Sequence, residues 1–413
     1  MKQTKLFSKT KKETPPDEAS LNAQLLLRAG YIDKLMAGVY TYLPLGLQVL
    51  SNIQDIVREE MNKIGGQEIL MPALSPKSNW QKTGRWEGFD VLFKLKGSGD
   101  KEYALGASHE EVVTPLVDKY VNSYRDLPVS LYQIQTKFRD EPRPKSGLLR
   151  GREFSMKDLY SFHRDQADLD KYYEKFITAY KKIFSRCGLD VKLVKASGGT
   201  FSKFSDEFQV FTPYGEDIVF SCSKCDLHQN KEIFAGDKCP NCQGKLEKNK
   251  AIEVGNIFKL GSKYAKDFNL TYTDEKGQEQ DVIMGCYGIG ISRLLGAVVE
   301  VHHDKAGIIW PTNIAPFRVH LIPIGADKNQ EIQATATDLY KSLQEKNIGV
   351  LYDDRVDIGV GQKFADADLL GLPVRLVISE KTIARGGCEV KKRAEKEAKI
   401  VLLDKLTEYL SEG

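Results

Sequence analysis

Phe138-Arg-Asp-Glu141, the loop 142–149 and Arg150-Gly-Arg-Glu-Phe154-Ser-Met-Lys-Asp158 form the stretch on which the fold turns. Residues 130–138 and 151–160 read as strands, and Pro142, Pro144 and Gly147 suit the loop between them. The whole is an antiparallel hairpin with a basic tip. On such a hairpin, side chains at alternate positions converge on one face. Arg, Glu, Arg, Phe and Asp gathered there suit a nucleotide. A guanidinium forks onto phosphate oxygens, a carboxylate accepts from an adenine amino group, and a phenyl ring stacks on the base. A single Arg–Glu pair on a strand is ordinarily a surface ion pair; here five side chains stand in one order.

Working outward, apolar residues recur at helical spacing over 21–29 and 47–64, the second stretch carrying Val49, Leu50, Ile53, Ile56, Val57 and Met61. Gly65-Gly66 stops that helix, and 68–72 reads as a short buried strand ended by Pro72. Further strands are expected at 91–95 and 103–105, and an amphipathic helix at 168–187. Strands and helices in no regular alternation predict an α+β layer on an antiparallel sheet with flanking helices. Between 220 and 250 the composition turns to Cys, Lys, Asn and Gly. Beyond residue 316, strands at 318–323, 349–352 and 374–378 alternate with helices at 329–346, 363–370 and 402–410, which predicts a separate small α/β domain.

A second anchor is Gly285-Cys-Tyr-Gly-Ile-Gly-Ile-Ser-Arg293. Its glycines let the chain pass close to a ligand at a strand-to-helix junction, with Arg293 in the first helical turns. Taken alone, this spacing also suits a dinucleotide-binding turn, but no βαβ unit surrounds it. A third element is Gly38-Val-Tyr-Thr-Tyr-Leu-Pro-Leu-Gly46 with the helix that follows it; alone it reads as core.

Together the three stretches resemble motifs 2, 3 and 1 of the class II aminoacyl-tRNA synthetases, the last being the dimerisation element. Within that class the chain resembles prolyl-tRNA synthetases of the bacterial kind over nearly its whole length. Leu26-Leu-Arg-Ala-Gly30, Gly84-Arg-Trp-Glu87, His109-Glu-Glu111, residues 133–141, Arg152-Glu-Phe154, Met156-Lys-Asp158, Tyr160-Ser-Phe-His163 and Gly307-Ile-Ile-Trp-Pro311 carry the likeness. The resemblance implies a homodimer that joins L-proline to ATP and then to tRNA(Pro), with Mg2+ accompanying ATP. It implies Arg139 and Arg293 as catalytic residues. Ser108, Glu110, Arg139, Asp158, Tyr160, His163 and Phe258 fall to proline. Arg139, Glu141, Arg150, Phe154, Glu253 and Arg293 fall to ATP. Carried over from the family pattern, the resemblance implies that Glu110 meets the ammonium and Arg139 bridges the proline carboxylate and the α-phosphate. Glu141 holds the adenine amino group, Phe154 stacks on the ring, and Arg150 and Arg293 take the outer phosphates. Glu253 could also be a surface acid, Phe258 core, and His163 a satisfied buried histidine. The expected division is 1–219 and 251–315 for the catalytic domain, 220–250 for an insertion and 316–413 for an anticodon-binding domain. In the last, Tyr352-Asp-Asp-Arg355, Gly361-Gln-Lys-Phe364 and Gly371-Leu-Pro373 carry the likeness.

Three departures stand out. Ala107-Ser108 replaces the family's Pro-Thr, keeping a hydroxyl. Asn256 stands where the family often has His. Only about thirty residues occupy 220–250, where many bacterial members carry a hydrolytic domain that removes mischarged alanine; a domain needs more. That space holds Cys222-x-x-Cys225 and Cys239-Pro-Asn-Cys242, and two such knuckles predict a structural zinc site of four thiolates in a zinc-ribbon-like insertion. Seven cysteines and no hydrophobic leader argue against a disulfide framework. No apolar run is long enough for a membrane span, so a cytoplasmic protein is expected. A net charge of +3 announces no global nucleic-acid binder, so any RNA surface is local. The rival readings are a threonyl or seryl enzyme, whose pockets need other chemistry, and a synthetase-like regulatory module that has lost charging.

Overall fold

The computed structural model describes residues 1–16, 18–234 and 236–411. Of the expected 316–413 domain the last two residues, and of the 220–250 insertion Ala235, lie outside the described residues. Two compact units are present, one of residues 36–39 and 53–297, the other of residues 1–35, 40–52 and 298–413.

The helices follow the apolar spacing. α1 (Leu21–Arg28) buries Leu25, Leu26 and Leu27, and α2 (Pro44–Lys63) buries all six of the apolar residues named above. Gly65, with φ of +86°, follows α2 in the left-handed conformation that glycine adopts without strain. Of the expected strand 68–72 only its first residue joins a ladder, as part of β1 (Gln67–Glu68). Ile69 adds one further bond, donating to the Tyr132 carbonyl at 2.8 Å. The strand expected at 91–95 instead covers Lys94–Lys96, which pairs with Glu102–Leu105 in a small three-stranded sheet. A helix that the apolar spacing did not disclose is α3 (Glu110–Val117), of which Glu110 is the first residue.

The larger unit is organised by a mixed, mainly antiparallel nine-stranded sheet. Its later members are β2 (Val129–Phe138), β3 (Glu153–His163), β4 (Val191–Ser197), β5 (Phe204–Phe211), β6 (Asp217–Cys222), β7 (His228–Asn230), β8 (Leu246–Gly261) and β9 (Ile283–Gly290). The order is β5-β4-β7-β6-β8-β9-β3-β2-β1, and β5 also pairs with β8. α4 (Gln166–Arg186) packs on one face through Leu169, Tyr173, Phe176, Tyr180, Ile183 and Phe184. It starts where Asp165 accepts from the Asp168 amide at 2.8 Å, satisfying one of the free donors of the first turn. α5 (Ile291–Val301) follows β9 directly, as the glycine-rich junction requires. Strands β6 and β8 run across both boundaries of the 220–250 segment, so its ends are rungs of the main sheet.

The smaller unit contains β10 (Val319–Pro323), α6 (Gln330–Glu345), β11 (Val350–Tyr352), α7 (Val360–Leu370) and β12 (Val374–Ile378), close to the expected alternation. β10 pairs in parallel with both β11 and β12. Two strands that periodicity did not disclose, β13 (Gly387–Lys392) and β14 (Lys399–Leu402), extend the sheet in antiparallel fashion. The final helix is therefore shorter than expected, α8 (Leu406–Ser411). The resulting five-stranded sheet buries Val319, Leu321, Leu376 and Ile378 beneath Ile332, Ala336 and Leu343 of α6.

Candidate active site

The β2–β3 hairpin pairs Gln133 with Asp158, Gln135 with Met156 and Lys137 with Phe154. Its neighbour β9 sets Cys286 beside Tyr160 and Gly288 beside Asp158, and β8 adds Phe258 beside Cys286 and Asn256 beside Gly288. These rungs give rows of side chains across three adjacent strands, and the rows floor a cavity. A Cβ at Gly288 would come within 2.8 Å of Asn256 Oδ1, so the Asn256 side chain would have to shift to admit one.

The strand period decides which sequence candidates meet. Phe154, Met156, Asp158 and Tyr160 alternate onto the cavity side. His163 has the opposite parity and does not line the cavity. Its Nδ1 lies 2.9 Å from Asp168 Oδ2 and its Nε2 2.8 Å from Ser161 Oγ, beneath α4. The structure thus places it as a satisfied, fully buried histidine away from the other proline candidates. Ser108, Glu110, Arg139, Glu141, Arg150, Glu253, Phe258 and Arg293 all line the same cavity.

One end of the cavity is a network of fixed hydrogen bonds. Asp158 Oδ1 is ion-paired with Lys137 Nζ at 2.7 Å, and its Oδ2 accepts from Gln133 Nε2 at 3.0 Å and Tyr160 Oη at 3.0 Å. Burial works against its charge, but Lys137 holds the carboxyl below its ordinary range. Tyr160 Oη also accepts from the His109 amide at 3.0 Å. Burial first, then Asp158, raises this phenol well above its ordinary value, so it remains a neutral donor. His109 Nε2 lies 3.1 Å from the Pro72 carbonyl, which can only accept, so Nδ1 is left to accept from Lys137 at 2.8 Å. Burial and the Lys137 charge bring His109 down to about 4, consistent with a neutral ring.

The other end is cationic. The Arg139 guanidinium lies 5.3 Å from the Phe154 ring centre and makes two long contacts of 3.4 Å with the Ala107 carbonyl. Burial and the neighbouring Arg293 charge lower its pKa, a sign of positive charge held close to positive charge. Arg293 donates to the Leu149 carbonyl at 2.9 Å and to Glu253 at 2.8 Å. Asn256 Nδ2 donates to the other Glu253 oxygen at 2.8 Å. Arg150 pairs with Glu141 at 2.9 Å. Glu253 is therefore a bonded member of the site rather than a loose surface acid. Among residues that sequence reasoning gave no role, Arg85, Phe201 and Cys286 matter. Phe201 and Cys286 line the cavity, and Arg85 bonds Ser108 and Glu110 from behind. Only Gly84-Arg-Trp-Glu87 had pointed to Arg85, without a role.

A separate cluster is formed by the four knuckle cysteines. Their sulfurs lie within 4.8 Å of one another, with Cys222 to Cys242 at 3.5 Å and Cys225 to Cys239 at 3.4 Å. Tetrahedral thiolates at about 2.3 Å from zinc stand roughly 3.8 Å apart, so the donor set fits. Crowding keeps protons on some of these thiols: contact with Cys239 is the first cause that pushes Cys225 up to about 12. Backbone donation from Lys224 draws Cys222 down to about 7. A few apolar residues, Phe220, Leu227, Phe234 and Leu246, pack around them.

Residues 93–302 match the model of the tRNA synthetase class II core domain (G, H, P, S and T), and residues 318–413 match the anticodon binding domain. The chain is 35% identical to a proline–tRNA ligase of Syntrophomonas wolfei, covering 98% of this chain and 97% of the relative. It is 34% identical to one of Halothermothrix orenii, covering 95% and 96%. The first alignment runs over 557 positions against a chain of 413 residues, so a long stretch of the relative faces no residue here. The fold is also that of a Giardia lamblia prolyl-tRNA synthetase solved in complex with prolyl-adenylate, with a TM-score of 0.80 at 21% identity, over 94% of this chain and 77% of that one.

Proposed function

Because the chain belongs to the proline–tRNA ligase family of class II synthetases, we propose that its cavity joins L-proline to ATP and passes the prolyl group to tRNA(Pro). The observation that carries this reading is the convergence, in one cavity, of an acidic pocket at Ser108 and Glu110 with a cationic end at Arg139 and Arg293. An amino acid has an ammonium for the first and a carboxylate for the second, and the phosphates of ATP are further anions for the arginines of the second.

No side-chain nucleophile is needed. The proline carboxylate attacks the α-phosphorus in line, the bond to the β-phosphate oxygen breaks, and pyrophosphate leaves. The enzyme contributes positioning and charge stabilisation. Arg139, with no carboxylate bonded to it among the described residues, is poised to take the carboxylate and the α-phosphate together. Phe154 would stack on adenine and Glu141 would accept from its amino group. Arg150 and Arg293 would turn from Glu141 and Glu253 to the outer phosphates. Glu253 and Asn256 would fix Arg293 until then. Tyr160 and Phe258 would shape the ring pocket, with Asp158 fixing Tyr160; His163 would act only through the packing beneath. Magnesium belongs to the nucleotide, neutralising its phosphates. A hydroxyl of the tRNA 3′-terminal ribose then attacks the adenylate carbonyl and AMP leaves. The unit around β10 to β14 supports anticodon binding, since residues 318–413 match that domain.

Cys222, Cys225, Cys239 and Cys242 would hold a structural zinc with no open position, and the same segment leaves no room for a hydrolytic domain in cis. A homodimer through the motif 1 region and a cytoplasmic site belong to the same reading; no helix among the described residues is long and apolar enough to cross a membrane. Aminoacylation of tRNA with proline, threonine, serine and alanine tests the function. Charging of tRNA(Pro) with proline at the highest kcat/KM is expected, and preferential charging with threonine or serine contradicts it.

A further inference from the structure

Leu26-Leu-Arg-Ala-Gly30 has no part in the cavity of the proposed reaction. Its arginine lines a second cavity, of about 970 Å³, within the smaller unit. That volume is far larger than a bound ion needs. Much of the remaining lining comes from the segment 2–12, which is clamped along its length. Lys2 bridges in parallel to Tyr352, and Thr4 donates from its amide and hydroxyl to Asp354 at 2.9 and 2.7 Å. Thr10 Oγ1 donates to Asp366 of α7 at 2.8 Å, and the Lys11 amide donates to the Arg28 carbonyl at 2.7 Å. Lys9, Lys11 and Lys12, all exposed, line the cavity with Arg28.

The charges there do not balance. Of the three acids in the lining, Asp366 accepts from Thr10, Gln362 and Arg355, and Asp368 pairs with Arg375 at 3.3 Å, which leaves Asp357 at an exposed position. The cations are less committed. Lys9 Nζ donates to the Leu6 carbonyl at 3.1 Å, and Lys11 stands 3.9 Å from the exposed Asp33. No carboxylate is bonded to Lys12 or Arg28 among the described residues. Two buried polar atoms of the lining residues are also unmet: Arg28 Nε and Ser8 Oγ have no hydrogen-bond partner. Native proteins leave few such atoms, and a buried donor is costly unless an acceptor reaches it. Uncommitted cations beside unmet donors suit phosphate oxygens, which are both anionic and rich in acceptor sites. In the same segment the Phe7 ring is 80% exposed. An exposed ring among lysines is the arrangement that stacks a base while cations hold the backbone.

We infer that Lys9, Lys11, Lys12 and Arg28 form a phosphate-binding surface for the backbone of tRNA, with Phe7 open to a base. This rests on the proposed use of tRNA(Pro). RNA is favoured over a small anion because the same unit contains residues 318–413, which match the anticodon binding domain, and because a small anion has no use for Phe7. Phosphate contacts position a nucleic acid without reading its sequence, so the surface adds affinity and salt dependence rather than identity.

The test is binding of the full chain to a tRNA(Pro) transcript across a salt series, with proline-driven ATP–pyrophosphate exchange and melting temperature measured alongside. Lys9→Gln, Lys11→Gln and Lys12→Gln combined should flatten the slope of log Kd against log salt by about two and weaken binding by about tenfold or more at about 0.1 M salt. Exchange needs no tRNA and should be unchanged. The matched substitution of Lys341, Lys396 and Lys405, exposed elsewhere in the unit, should leave the slope nearly unchanged; an equal loss there would reflect net charge alone and overturns the inference. Arg28→Met removes an unmet donor, so it should weaken tRNA binding by about threefold or more with no fall in melting temperature. A fall in melting temperature with unchanged tRNA binding would make Arg28 structural and strike it from the surface. An unchanged slope in the triple lysine variant overturns the inference. If inorganic phosphate or pyrophosphate raises the melting temperature of wild type but not of that variant, while tRNA binding is unchanged, the cavity serves a small anion and the RNA reading is overturned. Wild-type enzyme that does not charge tRNA(Pro) overturns the proposed function instead.

Discussion

Glu253 is ion-paired to Arg293 at 2.8 Å, so the guanidinium assigned to the outer phosphates is already neutralised before a nucleotide arrives. Phosphate must compete with this carboxylate. Glu253→Gln keeps an acceptor for Asn256 but removes the competing charge. KM for ATP should fall by about threefold or more, the scale of a partly exposed ion pair. Steady-state exchange kinetics check this; a rise in KM would mean that Glu253 itself reads the nucleotide.

Glu207 gives the site a pH signature. Burial first, then the Glu253 charge, raises it to about 8, and Asp217 is raised to about 6 for the same two reasons. A folded-state value above the unfolded one near 4.5 means that the native state holds the proton more tightly. This stability is fully present below about 4.5 and is lost as pH rises through about 8. Glu207→Gln should therefore match wild type in melting temperature at pH 5 and exceed it at pH 8. The gain should be on the order of 2 kcal/mol after solvent relaxation. Equal melting temperatures at both pH values contradict the coupling.

The four cysteines should bind one zinc per chain, measured by elemental analysis of protein purified under reducing conditions. Metal supplies folding free energy to a segment with little apolar surface. Chelation should open 220–250 to protease before any other segment, and Cys239→Ser should lower zinc to a tenth or less. Zinc-free wild-type protein with a protected segment would contradict the assignment.

Alanine fits any pocket that admits proline, and size alone separates them by about 1–3 kcal/mol per missing methylene. Mischarged Ala-tRNA(Pro) should therefore form slowly and persist. Four thiolates saturating a zinc would leave no position to activate water. Preformed Ala-tRNA(Pro) incubated with the enzyme should decay at the no-enzyme rate; enzyme-dependent hydrolysis would place editing elsewhere in the chain.

The hairpin at 130–158 was legible because strand parity and side-chain chemistry agree there, and the fold followed from it. Parity also decided His163, which shares a strand with Tyr160 but not its face. The strand at Lys94–Lys96 was misplaced because three exposed residues carry no apolar alternation. β14 was missed for a similar reason, since it is mostly solvent-facing, whereas β13 is partly buried but carries only Cys388 and Val390 as apolar side chains among glycine and charged residues. Arg85 was invisible as a site residue because its partners lie 23 to 26 positions away, joined only when Gly84-Arg-Trp-Glu87 packs behind α3. Cys286 reached the cavity through sheet register and Phe201 from the turn between β4 and β5, and no single stretch of sequence declares either.

In the proposed reaction the cavity activates proline through Arg139, the one cavity arginine without a carboxylate bonded to it among the described residues. ATP–pyrophosphate exchange with each of the twenty amino acids measures activation directly. Proline should drive exchange at the highest kcat/KM, and Arg139→Ala should lower it by about a hundredfold or more, as loss of a transition-state charge contact does. Exchange driven best by another amino acid, or an Arg139→Ala variant within about tenfold of wild type, a difference of about 1.4 kcal/mol, would contradict it.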